Sequence, residues 1–295
     1  MSWVEERLRK SFIETIERMR SEKTLLERVV ANRNEVEIIK EDDELQVPDK
    51  LGTLAKISLI DENVSIVVND ATCDYKEVAV LDFMGVDSPY CSGKEMSWEA
   101  QLCRCSTLYP VLCCEAVQQK FYQHHKSRGN TLGTCRGIYV PNVIFHSKER
   151  YQFLSSLKQN AYVNIVGMAA PDLSRFNGKL SEEGQATLME FRIDRAFAIA
   201  AAKGNECFVV GAWGCGEDKC DPSAIALTFY KCLQKWRPYF KEIIFALDKD
   251  MGGAVRIERE ENWDYFKTMI EYMMKERGDS NVDEDKVTIN GLQKG

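Results

Sequence analysis

The sequence predicts an α/β layered fold with a mostly parallel or mixed central sheet, on three observations. From residue 78 onward, apolar runs of strand length alternate with segments of helical period. One such run, Cys207-Phe208-Val209-Val210, leads straight into Gly211-Ala212-Trp213-Gly214-Cys215-Gly216. Behind that turn stand Asp221-Pro222-Ser223, a helix-start signal, and the apolar-periodic run Ala224 to Phe229. Strand, glycine loop and helix start together form an anion-binding arrangement. Glycines let backbone N–H groups converge on a phosphate, and a helix N-terminus adds donors and positive dipole. The order G-x-x-G-x-G is neither a dinucleotide fingerprint nor a P-loop, because no Gly-Lys-Ser/Thr closes it.

The elements read in order as follows. Residues 2–33 place Trp3, Val4, Leu8, Phe12, Ile16 and Met19 at three- and four-residue steps, which predicts an amphipathic packing helix. Val36 to Ile39 alternates weakly, like an edge strand, and Asp42 to Lys50 is a polar connection. Ile57 to Ile60 and Val64 to Val68 are β-branched runs and predict strands. Val78 to Phe83 is continuously apolar except at Asp82 and predicts a central strand. A loop, Met84 to Ser97, precedes a helix-like stretch from Trp98 to Gln123. Ile138 to Val140 and Val143 to Phe145 predict a strand broken at Pro141-Asn142, and Ala161 to Val166 another strand. Glu182 to Lys203 predicts a helix with Gly204 as its C-terminal glycine. A helix over 222–235, a strand over Glu242 to Leu247 and a helix over Trp263 to Met274 complete the core, and Asp279 to Gly295 is polar. In such sheets ligands bind beyond the carboxyl ends of the strands. The loops after Phe83, Val166 and Val210 are therefore expected to share one cleft.

Composition narrows the function classes. Of 295 residues, 44% are hydrophobic and 29% charged, as in a soluble globular protein. A net charge of −7 argues against a protein built to grip nucleic acid. No apolar run approaches the ~18 residues of a membrane span. The charged start, Met1 to Arg7, does not read as a secretory leader. Eleven cysteines, an odd number, then argue for reduced and mostly buried thiols in an intracellular protein, cytoplasmic or nuclear. Cys103-Arg104-Cys105 and Cys113-Cys114 lack the two-residue gap of zinc sites, and only three histidines are present, so neither metal nor cofactor is expected. His124 and His125 read as surface residues at a helix end.

With these segments in order, the chain resembles the microbial-type poly(ADP-ribose) glycohydrolases, a branch of the macrodomain fold. The resemblance rests on Gly211 to Gly216 with Asp221-Pro222, Phe245-Ala246-Leu247, Val80-Leu81-Asp82-Phe83, Leu102-Cys103-Arg104 with Ser106 to Tyr109, Tyr139 to Val143, and Ala170 to Leu173. It covers residues 78 to 247, with the N-terminal helix resembling the family's lead-in. It implies a three-layer α/β fold with a mixed central sheet and an N-terminal helical extension. The divisions expected are an extension over 1–50 packed on the core, a domain over 51–278 and a polar tail over 279–295. It also implies ADP-ribose, or an ADP-ribosylated protein, as partner. The implied reaction cleaves a glycosidic bond through an oxocarbenium-like transition state, with one carboxyl protonating the leaving oxygen and activating water.

The chain departs from the family at the places that carry this chemistry. The family's Gln-Glu-Glu triplet falls on Trp98-Glu99-Ala100, so the position of the catalytic second Glu is Ala100. Glu99 remains, but one helical position turns a side chain by about 100°. The family's triple glycine falls near Tyr90-Cys91-Ser92, with Gly93 left beside it. Glu217 and Asp218 stand in the phosphate loop, where carboxylates repel a diphosphate unless Lys219 or a cation compensates. Asp82, where the family has Asn, is the expected adenine contact. The expected ligand-binding set is Asp82, Gly93, Gly211, Ala212, Trp213, Gly214, Cys215, Gly216 and Asp218, with Glu99 as the candidate catalytic residue.

Three readings follow. The first is a divergent member that binds ADP-ribose or a related nucleotide with hydrolysis lost or weakened. The second is an active hydrolase using Glu99, Glu95 or Asp218 as a substitute acid. The third is a protein-interaction scaffold whose cleft is filled by its own side chains, with Trp98, Tyr90 and the acidic loop as a protein-binding face.

Overall fold

The computed structural model describes residues 2–91, 95–150, 153–249 and 255–277, the last stretch with side chains over 261–273. Seven strands form one mixed sheet in the order β1-β4-β5-β3-β6-β7-β2. They are β1 (Glu37–Ile39), β2 (Lys56–Ile60), β3 (Val78–Met84), β4 (Gly137–Arg150), β5 (Phe153–Ala169), β6 (Cys207–Val210) and β7 (Glu242–Ala246). The β1, β4 and β5 pairings are antiparallel, and from β5 through β3, β6 and β7 to β2 all pairings are parallel. The mixed sheet expected from the sequence is therefore present, with β3 in the middle.

Helices cover both faces, because strands buried on both sides need two apolar layers. On one face lie α3 (Val64–Asp74), α4 (Trp98–Cys105) and the short helices α5 (Tyr109–Leu112), α6 (Glu115–Val117) and α7 (Gln123–Ser127). Their core includes Val80, Leu102, Phe121, Val163 and Val209. On the other face lie α8 (Glu182–Ala202), α9 (Pro222–Trp236) and α10 (Val255–Arg277), over Leu81, Phe197, Phe208, Phe229 and Phe245. Alternate residues of β3 and β6 thus serve opposite cores, as the period of a strand requires.

Four sequence expectations are corrected. Residues 2–33 form two helices, α1 (Trp3–Ser21) and α2 (Lys23–Glu35), because Glu22 takes an extended backbone conformation between them. Val64 to Val68 is the start of helix α3, not a strand. Asn63 caps it by accepting from the Ser65 N–H at 3.0 Å, and Val64 to Val68 are buried on every side, so no amphipathic period could mark them. Trp98 to Gln123 is several short helices, including a π-helical turn over Gln118–Tyr122, rather than one helix. The predicted break at Pro141-Asn142 is a register shift within the continuous strand β4, with Asn142 at φ 53°. Gly204 does sit in the left-handed region, φ 74°, just past α8.

The N-terminal extension is tied to the core and contributes β1 to the sheet edge. Helix α2 packs on β4, and the Thr15 hydroxyl on α1 donates to the Arg104 carbonyl at 2.6 Å. The polar tail over 279–295 lies outside the described residues.

One ion pair fixes the helix that borders the site. Arg104 on α4 is fully buried and donates from Nε to Glu149 at 2.6 Å and from Nη2 at 3.0 Å, while Nη1 donates to the Glu95 carbonyl at 2.6 Å. Removing the guanidinium strands Glu149 in the core, which costs about 3–5 kcal/mol. Arg104→Ala is therefore expected to lower the denaturant midpoint strongly. A loss under about 1 kcal/mol would show the pair to be replaceable.

Candidate functional site

A cavity of about 460 Å³ opens at the carboxyl ends of the parallel strands. It spans β3, β6, β7 and β2: Phe83 and Tyr90 come from the β3 side, Ala212 to Lys219 from the loop after β6, Ala246 to Asp248 from the end of β7, and Glu62 and Val64 from the end of β2. Met96, Ser97, Trp98 and Gln101 of α4 and its lead-in line another wall, and Asn262 of α10 reaches in. This volume lies within the range of small-molecule sites.

The floor is aromatic. Trp98 stacks on Phe83 with ring centroids 4.5 Å apart and planes 10° off parallel, and its indole N–H donates to the Leu81 carbonyl at 2.7 Å. This stack dictates Gly211, where a Cβ would come within 2.9 Å of the Trp98 ring and 3.1 Å of the Ala246 carbonyl.

The loop after β6 is folded by its own backbone. Cys215 N–H donates to Ala212 at 3.1 Å and Cys220 N–H to Gly214 at 2.9 Å. Gly214 takes φ 81°, and a Cβ there would meet the Cys220 sulfur at 2.9 Å, so both conformation and space require glycine. At Gly216 a Cβ would meet nothing within 4 Å.

The expected site residues divide sharply. Ala212, Gly214, Cys215, Gly216 and Asp218 line the cavity; Gly211 and Trp213 do not. Gly211 makes room for Trp98, and Trp213 is fully buried in the core between sheet and helices. Gly93 lies outside the described residues. The start of α9 does not line the cavity either: the Asp221 carboxylate itself accepts the Ala224 N–H at 2.8 Å and caps the helix. Burial holds the Cys215 thiol well above its ordinary value, which keeps it from acting as a thiolate.

Asp82 and Glu99, expected at the site, lie behind its walls. Both are fully buried and neither lines the cavity. Along β3 the Phe83 side chain reaches the cavity, so its neighbour Asp82 points to the opposite face of the sheet. Burial pushes the Asp82 carboxyl up to about 8. Burial and then the nearby Asp82 push Glu99 well above the carboxylate range. Glu99 Oε2 accepts the backbone N–H of Tyr90. Ala100, at the position the resemblance gives to the catalytic Glu, is fully buried.

Of the carboxyls expected at the site, Asp218 does line the cavity, together with Glu62, Glu217 and Asp248. The Tyr90 hydroxyl donates to Asp218 Oδ1 at 3.1 Å. Burial, then Asp172 and Glu217, raise it to about 7, opposed by the Tyr90 hydrogen bond and by Arg175. Behind it, Arg175 bridges Asp172 and Asp87, with Nη1 2.8 Å from Asp87, and the Leu173 N–H donates to the Asp218 carbonyl at 2.9 Å. The loop after β5 therefore supports the site from behind instead of lining it. The walls from β2, β7 and α10 were missed in the sequence. Their signal is the rule that parallel strand ends share a crevice, but it needs the strand order to be used.

Comparison with known proteins comes next. Residues 9–148 match the family model of the microbial-type PARG catalytic domain. That match includes the Asp82 and Glu99 segments and stops before the glycine loop. Among solved structures, poly(ADP-ribose) glycohydrolase from Thermomonospora curvata superposes with a TM-score of 0.76 at 21% identity, over 89% of this chain and 98% of that one. The same enzyme bound to the inhibitor ADP-HPD gives 0.73 at 22% identity, over 88% and 98%. Poly(ADP-ribose) glycohydrolase from Deinococcus radiodurans in complex with ADP-ribose gives 0.68 at 20% identity, over 83% and 98%. A search of curated proteins finds no match. Fold and cavity define a macrodomain-like protein of the poly(ADP-ribose) glycohydrolase fold. Over residues 9–148 the chain is similar to the microbial-type poly(ADP-ribose) glycohydrolases, and it shares their fold.

The unpartnered Asp82 carboxyl gives a stability prediction. Its folded value of about 8 exceeds the unfolded value of about 3.9. Between the two, the native state holds a proton that the unfolded chain has released, so stability falls as pH rises from about 4 to about 8. Asp82→Asn removes that contribution and is expected to raise the melting temperature at pH 8, by about 2–4 °C per kcal/mol recovered, and to flatten the slope. Melting scans at pH 5 and pH 8 check this; an unchanged slope contradicts it.

Proposed function

We propose that this protein binds an ADP-ribose-type nucleotide in the cavity and lacks the hydrolysis its family performs. One observation carries the reading: the glycine loop forms a cavity wall while neither residue of Glu99-Ala100 sends a carboxyl into it. Alanine has no proton to give, and Glu99 faces the core with Asp82. Gly214 and Gly216 present backbone to the cavity, as a diphosphate requires. The Deinococcus radiodurans neighbour is solved in complex with ADP-ribose, which supports the ligand class.

A second reading rests on Asp218. It lines the cavity, and its carboxyl is held near 7, the range in which a group can give and take protons at neutral pH. It is the strongest substitute acid on offer, since Glu99 and Glu95 do not line the cavity. Hydrolysis abolished by Asp218→Asn but kept in Glu99→Gln would establish it.

Isothermal titration with ADP-ribose tests the first reading. Micromolar affinity, about −8 kcal/mol, is expected. It should be lost in Gly216→Glu, whose side chain enters open space and so leaves the fold intact. Release of ADP-ribose from poly(ADP-ribose) should stay at the level of the buffer blank. No heat at millimolar ligand sinks the reading.

The same titration has a pH signature. Below about 7, Asp218 takes up a proton and a negative charge leaves the diphosphate's surroundings. Glu217, also raised, by burial first and then by Glu95 and Asp172, moves the same way. Affinity should therefore rise several-fold from pH 8 to pH 6, and the rise should vanish in Asp218→Asn. A fall in affinity over that range contradicts the placement of the diphosphate beside these carboxyls.

A further inference from the structure

The cavity is built unequally at its two ends. At the β2 end it is walled by Val64 and Leu247, with the amides of Gln101 and Asn262 and the carboxyls of Glu62 and Asp248 at its edge. Apolar faces with a few amides suit a nucleobase, which needs stacking area and edge partners. In the middle stands the glycine loop, with Gly214 and Gly216. At the β3 end stand Tyr90 and Asp218, joined across the cavity wall by their 3.1 Å hydrogen bond.

Tyr90 is fixed at four points. Its backbone N–H donates to the buried Glu99 carboxyl, and its carbonyl accepts the Ser97 hydroxyl at 3.0 Å. Its hydroxyl is held by Asp218. Its ring lies against Gly85, where an added Cβ would sit 3.3 Å from the ring edge. A side chain held in this way is a wall and does not move aside freely. To displace it, a ligand must break a hydrogen bond to a buried carboxyl that already faces Asp172 and Glu217.

We infer that the Tyr90–Asp218 bridge ends the site beyond the diphosphate, so that the cavity takes a nucleoside diphosphate in preference to one extended by a terminal ribose. This rests on the nucleotide-binding reading above and specifies its ligand. A terminal ribose would have to enter where the tyrosine ring stands, and losing the bridge opposes that by about tenfold or more. The bridge also excludes an interior unit of a polymer, which needs both ends of the site open.

Paired titrations with ADP and with ADP-ribose test this on wild-type protein and on Tyr90→Ala and Tyr90→Phe. Wild type should bind ADP at least as tightly as ADP-ribose. In Tyr90→Ala the preference should shift toward ADP-ribose by at least about tenfold. Tyr90→Phe keeps the ring and its packing and loses only the bridge; it should shift the preference the same way by a smaller factor. Melting scans confirm that each variant is folded, and the wild-type comparison decides the matter even if neither variant folds. Wild-type protein binding ADP-ribose about tenfold more tightly than ADP would overturn the inference and leave the nucleotide reading standing. Failure to bind either ligand would overturn both.

Discussion

The site depends on one buried hydrogen bond, from the Tyr90 backbone N–H to the Glu99 carboxyl. Glu99 is fully enclosed and close enough to Asp82 to feel its charge, so the core already carries two acidic groups with little compensation. Burying an ionisable group without partners is costly, and holding the proton is the cheaper state. The Tyr90 N–H relieves part of that cost for Glu99. In doing so it fixes the loop after β3, and through the tyrosine hydroxyl it fixes Asp218 on the opposite loop. Core electrostatics and cavity shape are thus one problem. Helix α4 supplies Glu99 and Trp98 from adjacent positions, one turned to the core and one to the cavity floor. The Arg104–Glu149 pair and the Trp98 bond to Leu81 hold that helix at both ends.

Much of the fold was legible in the sequence because three of its central strands are short and almost continuously apolar. Val78 to Phe83, Cys207 to Val210 and Glu242 to Ala246 are buried on both faces, and their composition says so directly. Val64 to Val68 misled for the same reason. A helix buried all round has no polar side, and its β-branched residues imitate a strand; only the Asn63 cap distinguishes it. Glu22 contains no signal for the break between α1 and α2, since glutamate is a good helix former and the break is set by packing of α2 on β4.

The site was legible only in part. The glycine loop could be read because glycine at Gly214 answers a backbone demand that no other residue meets as well. Which of those glycines face a ligand could not be read. Gly211 serves an aromatic ring, Gly214 a left-handed turn and Gly216 an open wall, and all three look alike in a sequence. The same holds for Asp82. An acidic residue at the end of a central strand suggests a ligand contact, yet alternation along the strand gives that place to Phe83 and turns the carboxyl inward. Orientation at the end of a strand is fixed by pleat and register, which are tertiary facts.

Where the resemblance places two consecutive glutamates the chain has Glu99-Ala100, and the difference has a physical consequence for the fold. Adjacent helical positions differ by about 100° in direction, so one carboxyl of such a pair faces inward when the other faces a cleft. Here the inward one persists and the other is a methyl group. The Glu99 carboxyl has structural work in the fold, gripping the Tyr90 N–H. The tyrosine in turn occupies the loop where the resemblance expects glycines, and a tyrosine can stand there because its N–H, carbonyl, ring and hydroxyl each find a partner. These features depend on one another. With a carboxyl at position 100 instead, the added side chain would need room in a packed core or a path toward the cavity floor now covered by Trp98 and Phe83. A carboxyl added at position 100 would therefore meet the aromatic floor and the Tyr90 wall.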